Sequence, residues 1–370
     1  MRKNNFVKAG LVVIVLVILI AAGCKKPAHN NTAPAPQPEC ATAWVGLADT
    51  GYVTFALKNN VRLAAIFEYN GTQTADINKW LAFFELAQQR GAKLRICPIP
   101  VTDSAYLDDR NAAKQMAVVS NFMQVLQTAG IKPCEIILDI EGMNASKYCQ
   151  ALIQCALGNA AAQDTLLANA LSKAGRDSAI AVYQAFVNQC HSTGWKVGAT
   201  TLNQVAIEDV NDITIERVLG IPITGINWDF VTYQAYRTST FPVFASLGNP
   251  TPSSYFVYKF AKQAQLHYGV NGGLDIGIMG VSTDPNAGYP TFDGWQNDVD
   301  ATRAAGLNPD LVAGFRMECA NTPVPGDSAL FFSQFESSPA PAVPADNYPT
   351  DDYFTLYQGA DARLGPLLPQ

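Results

Sequence analysis

Cys134-Glu135-Ile136-Ile137-Leu138-Asp139-Ile140-Glu141-Gly142 reads as a buried strand whose end carries two carboxylates two residues apart. Side chains alternate faces along a strand, so Asp139 and Glu141 point the same way. Acids are seldom buried unless they are paired or at work. The end of this strand is therefore a candidate site.

Outward from it, strand and helix signals alternate. Strands are predicted over 43–48, 61–69, 93–99, 196–202, 225–236, 273–281 and 311–318. Helices are predicted over 77–90, where Trp80, Phe84 and Ala87 keep helical spacing, and over 111–129, 178–193, 253–268 and 294–305. Gly91 and Gly130 stand where a helix stop is expected. Alternating β and α units imply a parallel sheet, and eight of them in this length imply an α/β fold of the (β/α)8 TIM barrel type. The alternative is a doubly wound open sheet, which normally shows a Gly-rich nucleotide loop after its first strand; none follows residues 43–48. The longest interruption, residues 143–177, comes directly after the acidic strand and would be an excursion beside the site.

The chain begins with Arg2, Lys3 and Lys8, then an uncharged, mostly apolar run ending at Ala21-Ala22-Gly23-Cys24. This resembles a bacterial lipoprotein signal, with Cys24 as the lipidated residue. The other reading is an uncleaved membrane anchor, although the run is shorter than the ~20 apolar residues a span wants. Either reading puts the rest outside the cytoplasm, in the cell envelope. Lys25 follows the cysteine where an Asp would signal inner-membrane retention, which favours the outer membrane or cell surface. The domain reading is a signal over 1–23, a lipidated cysteine and flexible tether over 24–40, a barrel over 41–336 and a Pro-rich C-terminal extension over 337–370.

Loss of residues 1–23 removes three of the 25 Lys and Arg and none of the 31 Asp and Glu, changing the net charge from −6 to −9. No basic patch is visible, so nucleic acid is not an expected partner. The chain holds 8 cysteines. Beyond Cys24, Cys149 and Cys155 are close enough in sequence to bridge, with Cys190 a competitor, while Cys97, Cys134 and Cys319 lie in or beside predicted strands. There is no Cys-x-x-Cys pair and the 3 histidines are scattered, so neither a metal nor a cofactor is expected.

Barrel chemistry gathers at the C-terminal ends of the strands. Those positions hold Asp49, Glu68, Asp103, Asp139, Glu141, Asn203, Gln204, Tyr233, Gln234, Tyr236, Asp284 and Glu318. Acids, amides and tyrosines suit a sugar: carboxylates serve as proton donor and oxocarbenium stabiliser, and rings stack on apolar sugar faces. Trp228 is a candidate platform. Asp229 and Asp275 lie within strands, are expected to face the helices, and are not assigned to the site.

On these residues the strand set resembles the family 18 glycoside hydrolases, the chitinase-like barrels. Their fourth strand ends in Asp-x-x-Asp-x-Asp-x-Glu, whose last part falls on Asp139-Ile140-Glu141. Their sixth-strand tyrosine falls on Tyr233, and their seventh and eighth strands resemble Leu274–Gly280 and Gly314–Glu318. The two earlier motif acids fall on Cys134 and Ile137, and the usual eighth-strand aromatic falls on Glu318. The resemblance implies that Glu141 is the general acid, that Asp139 orients a substrate acetamido group and that Tyr233 hydrogen-bonds it. Glu68, Gln234, Tyr236, Glu318, Trp228 and Asn203 would contact substrate. A different pair, Glu141 with Glu318 or Glu68, would suit a two-carboxylate hydrolase. The expected partner is a β-linked amino sugar glycan, a polysaccharide or a peptidoglycan-like polymer, with the membrane reached through the lipid on Cys24. The alternative is a non-catalytic barrel that binds glycan or protein.

Overall fold

A computed structural model describes residues 41–369, except 103–105, 143–144, 211, 238–251, 279–288, 290–291, 316–340 and 346–349; the side chains of 145–146, 278, 292 and 315 are also outside the description. Cys24, Cys319, Asp103, Asp284, Arg316 and Glu318 therefore lie outside the described residues.

Eight parallel strands close into a barrel in sequence order: β1 (Thr42–Val45), β2 (Arg62–Tyr69), β3 (Leu94–Pro100), β4 (Glu135–Ile140), β5 (Lys196–Leu202), β6 (Phe230–Gln234), β7 (Gly272–Ile278) and β8 (Val312–Phe315). β8 closes on β1 through Thr42↔Ala313 and Ala43↔Gly314. The strands are largely apolar on their outer faces, where they meet the helices, while the inner faces mix apolar and polar residues. The alternation appears as two separate clusters. Ile136, Leu138 and Ile140 of β4 join the large outer core beneath the helices, whereas Ile137 joins Trp44, Ala64, Cys97, Phe230, Leu311 and Ala313 inside the barrel. Gly198 makes room for that inner packing. A Cβ there would lie 2.2 Å from the Phe230 ring, its neighbour across β5 and β6.

The N-terminal end of the barrel is closed by a polar plug. Arg95 donates to Glu135 at 2.6 Å, to the Thr42 hydroxyl at 3.2 Å and to the Asp310 carbonyl at 3.1 Å. Arg62 pairs with the same Glu135 carboxylate at 2.5 Å. Charges buried this deeply are tolerated because they are paired and hydrogen-bonded.

The helices are α1 (Thr50–Lys58), α2 (Ala75–Gln89), α3 (Ala112–Thr128), α4 (Ala145–Ala156), α5 (Ala160–Asn169), α6 (Lys173–Ser192), α7 (Thr214–Leu219), α8 (Tyr255–Tyr268), α9 (Phe292–Ala304) and α10 (Thr350–Leu364). Side-chain caps start several of them: Asp49 accepts from Gly51 N at 2.8 Å, Thr74 from Ile77 N at 3.3 Å and Ser172 from Gly175 N at 3.2 Å. Asp49, a strand-end acid in the sequence, is thus a helix cap. α2 buries Ile77, Trp80, Leu81, Phe83, Phe84 and Ala87. Its Trp80 stacks on Phe67 of β2 with ring centroids 5.0 Å apart. Among the described residues no helix is long and apolar enough to cross a membrane.

The excursion after β4 is helical, comprising α4 and α5, and the bridge expected there is corrected. Cys149 and Cys155 lie six residues apart on α4 and are free thiols, as is Cys190. At 1.5 Å rise per residue, their Cα atoms are about 9 Å apart, beyond disulfide reach. The C-terminal extension ends in α10, which is part of the barrel's outer layer: Tyr353 packs edge-on to Phe256 at 5.3 Å and Phe354 against Phe260 at 4.9 Å.

Candidate active site

β4 ends at Ile140, which leaves Asp139 as its last inward side chain and Glu141 as the first residue beyond, on the same face. The chain then turns at Gly142, whose φ is +75°. A Cβ there would sit 2.3 Å from the Leu219 carbonyl oxygen, so both the conformation and the space call for glycine. Gly142 N also donates to the Leu107 carbonyl at 3.1 Å, which fixes the direction in which Glu141 leaves the strand.

Gln234 is the last residue of β6 and faces the same opening. Its amide Nε2 donates to Asp139 Oδ1 at 3.2 Å and to Glu141 Oε1 at 2.6 Å. One amide nitrogen thus holds the two carboxyl groups together at the strand end. Burial, followed by the charges of Glu141 and Asp275, holds the Asp139 carboxyl well above the usual carboxylate range. Burial also raises Glu141, partly offset by the bonds from Gln234 and Asp139. Asp139 is buried and Glu141 half-buried, so Glu141 is the member of the pair that meets the cleft.

Above the pair lies a cavity of about 1040 Å³. It extends toward the first three strands, where Glu68, Asn70, Thr74, Asp76, Lys79 and Trp80 line it, and Tyr236 lines it beyond β6. Leu47, Val101 and Tyr106 line it with 57%, 44% and 43% of their surfaces exposed, a rim of apolar and aromatic groups. The Glu141 charge, with burial and Asp139 adding to it, pushes the Tyr106 hydroxyl up, which sets Tyr106 close to the pair. Lys79 is tied to Asp76 at 2.9 Å.

Of the residues expected in the site, Asp139, Glu141, Gln234, Tyr236 and Glu68 line this one cavity. Three others do not. Tyr233 is buried on the opposite face of β6, with its ring 6.3 Å from His267 and 6.4 Å from Tyr268. The one-residue offset from Gln234 sends it into the helical layer. Trp228 precedes β6, donates its indole N–H to the Ile223 carbonyl at 3.1 Å and packs on Tyr183, so it is core and not a platform. Asn203 is buried beneath α10, where it accepts from Tyr353 Oη at 3.4 Å. Sequence reasoning missed Tyr106, Asn70, Asp76 and Lys79 because they lie on loops or a helix start rather than at strand ends. Trp80 was legible only as a core-facing helix residue.

The cations nearest in sequence logic are engaged elsewhere. Arg95 belongs to the plug, and Arg237 pairs with Asp298 at 2.9 Å. Asp275 corrects another expectation. It faces the barrel interior, where it accepts from Trp44, Thr200 and Thr232, whereas Asp229 does face the helical layer, accepting from His191 at 2.8 Å. Glu208, Asp212 and Asp361 bring carboxylate oxygens within 4.8 Å of one another, as a cation site would. Two of them already cap α7: Glu208 accepts from Ile215 N and Glu216 N, and Asp212 from Thr214 N at 2.9 Å. The trio is accounted for by the helix start.

No family model matches the chain, and no curated protein matches it in sequence. Its likeness to solved structures is clear. A GH18 chitinase from Pseudoalteromonas aurantia superposes with a TM-score of 0.50 at 11% identity, over 80% of this chain and 99% of the chitinase. The spore cortex-lytic enzyme SleL of Bacillus megaterium gives 0.47 at 9% identity, over 82% of this chain and 76% of that one. A GH5 protein from Streptomyces cattleya, in complex with Manβ1-4GlcNAc, gives 0.49 at 8%, over 88% and 87%. At such identities the likeness is one of fold alone, the (β/α)8 barrel.

Proposed function

We propose that this chain is a cell-envelope lipoprotein, anchored through Cys24, whose barrel hydrolyses a β-linked amino sugar glycan with Glu141 as general acid. The observation that carries the reading is the pair of carboxyl groups that Gln234 holds at the cavity floor. The two stand side by side at one strand end and so do not flank a glycosidic bond, which needs opposed carboxyls ~5–5.5 Å apart for a protein nucleophile or ~6.5–9.5 Å apart for an attacking water. Asp139 and Glu141 therefore act as one proton reservoir, and the nucleophile comes from elsewhere. The acetamido oxygen of an N-acetylated sugar fills that part.

In the first step Asp139 passes its proton to Glu141, and Glu141 protonates the glycosidic oxygen. The C1–O bond breaks as the acetamido oxygen bonds to C1, giving an oxazolinium ion. Water then attacks C1, Glu141 takes its proton, the acetamido C–O bond opens, and configuration is retained. Tyr236, at the cavity wall, takes over the acetamido contact expected of Tyr233. The apolar rim of Leu47, Val101 and Tyr106 suits sugar faces.

A second reading, a glycan-binding barrel without turnover, draws on Ile137, a buried apolar residue where the chitinase-like motif has an acid. Both are tested with β-1,4-linked oligosaccharides of N-acetylglucosamine, glucosamine and glucose, followed by NMR of the released anomer. Cleavage of the N-acetylated oligomer alone, with retained configuration, is expected. Equal cleavage of the glucose oligomer points instead to Glu141 with Glu68. Saturable binding without cleavage points to the binding protein.

A further inference from the structure

A third buried carboxylate lies below the pair, and the mechanism above does not use it. Asp275 stands on the inward face of β7, flanked on that face by Gly273 and Gly277, and is 1% exposed. Three strands supply hydrogen-bond donors to it. The Trp44 indole donates to Oδ1 at 3.0 Å, and the hydroxyls of Thr200 and Thr232 donate to Oδ2 at 2.6 and 3.1 Å. Burial pushes the Asp275 carboxyl up, while these three donors and the Arg95 charge favour its ionised, accept-only form. Thr200 is the register partner of Asp139 across β4 and β5, so one side chain separates the Asp275 carboxylate from the strand position of Asp139.

The surroundings leave that charge directed at the pair. From β3, Arg95 faces Asp275 but is held by Glu135 and lies over the Phe230 ring at 4.4 Å. Cys97, also on β3, is a buried thiol pushed upward by burial and by Asp139 and Asp275. Asp139 and Glu141 face Asp275 from β4, and Tyr236 from beyond β6. The inward residue of β4 one step below Asp139 is the apolar Ile137, and the next inward carboxylate of β4, Glu135, is paired with Arg95 and Arg62 in the plug. Buried away from water, a carboxylate acts on its neighbours with little screening.

We propose that Asp275 is a positioning residue whose negative charge keeps a proton on the Asp139–Glu141 pair. The proposal rests on the Gln234-held pair of the reading above. The pKa directions agree, since Asp275 raises both members of the pair.

The test needs no substrate, so its failure is separable from failure of the hydrolase reading. The full chain, carboxyl-labelled with carbon-13 at Asp and Glu, is titrated by NMR as wild type and as Asp275→Asn. In the variant the pair loses its proton about one pH unit lower, or more. If Asp275→Asn folds badly, Trp44→Phe serves in its place: it removes one donor, makes Asp275 harder to ionise and shifts the pair the same way by less. A pair that titrates at the same pH in wild type and in the folded variant overturns the proposal. Where hydrolysis is measured, the alkaline limb of kcat/KM moves to lower pH with the titration. A merely structural role would lower the rate and leave that limb in place.

Discussion

Gln234 and Tyr233 are neighbours in sequence with opposite fates. Gln234 holds two carboxyls at the cavity floor, while Tyr233 is sealed among His267 and Tyr268. Gln234→Leu removes both amide bonds from the pair and leaves acceptors unsatisfied in a buried site. It is expected to lower turnover at least tenfold and to raise the pH at which the pair loses its proton, because the donors that favour the charged form are gone. Tyr233→Phe removes a hydroxyl buried in the helical layer. It should cost about 1 kcal/mol in urea unfolding and leave turnover within twofold of wild type. The reverse ranking would mean that Tyr233 reaches substrate. The alternation that separates these two residues is present in the sequence, but a family motif drew the choice to the tyrosine. Asp275 shows the same effect. Its flanking Gly273 and Gly277 mark an inward face with room for a network, a signal that the apolar residues Leu274 and Ile276 obscured.

At the scale of elements, α10 follows a Pro-rich stretch, and the aromatic residues of its sequence suggest packing back on the barrel; Tyr353, Phe354, Tyr357 and Leu364 are buried against it. Tyr353 also bonds Asn203 and Gln204 directly after β5. Burying each large side chain is worth about 1.5–3 kcal/mol, and four together rival the ~5–15 kcal/mol that holds a domain. Truncation after residue 349 is therefore expected to abolish cooperative unfolding, seen as loss of a sigmoidal urea transition by circular dichroism. A truncated chain with an unchanged midpoint would show that α10 is an appendage after all. The strands were readable because they are largely apolar. The short or polar helices α1, α4, α5 and α7 were not, since neither periodicity nor length singled them out.

For the whole molecule, counting alternating units sufficed to give eight strands and a barrel, and the closed sheet bears that out. Locating a site needed only the rule that strand ends converge, and it brought Asp139, Glu141, Gln234, Tyr236 and Glu68 together. Loop residues such as Tyr106 and interior layers such as Asp275 depend on tertiary closure, which no local pattern carries. The barrel thus has a polar plug at one end, the Asp275 network at mid-height and a Gln234-held carboxyl pair under an open cavity at the other. The most direct measurement is the release of reducing ends from chitin, peptidoglycan and related polysaccharides by the full chain and by Glu141→Gln, with folding checked by circular dichroism. Cleavage of an N-acetylated glycan by the wild type, reduced at least a hundredfold in the folded Glu141→Gln, is the expected result. Cleavage at the same rate in both would contradict the assignment of Glu141 as the acid.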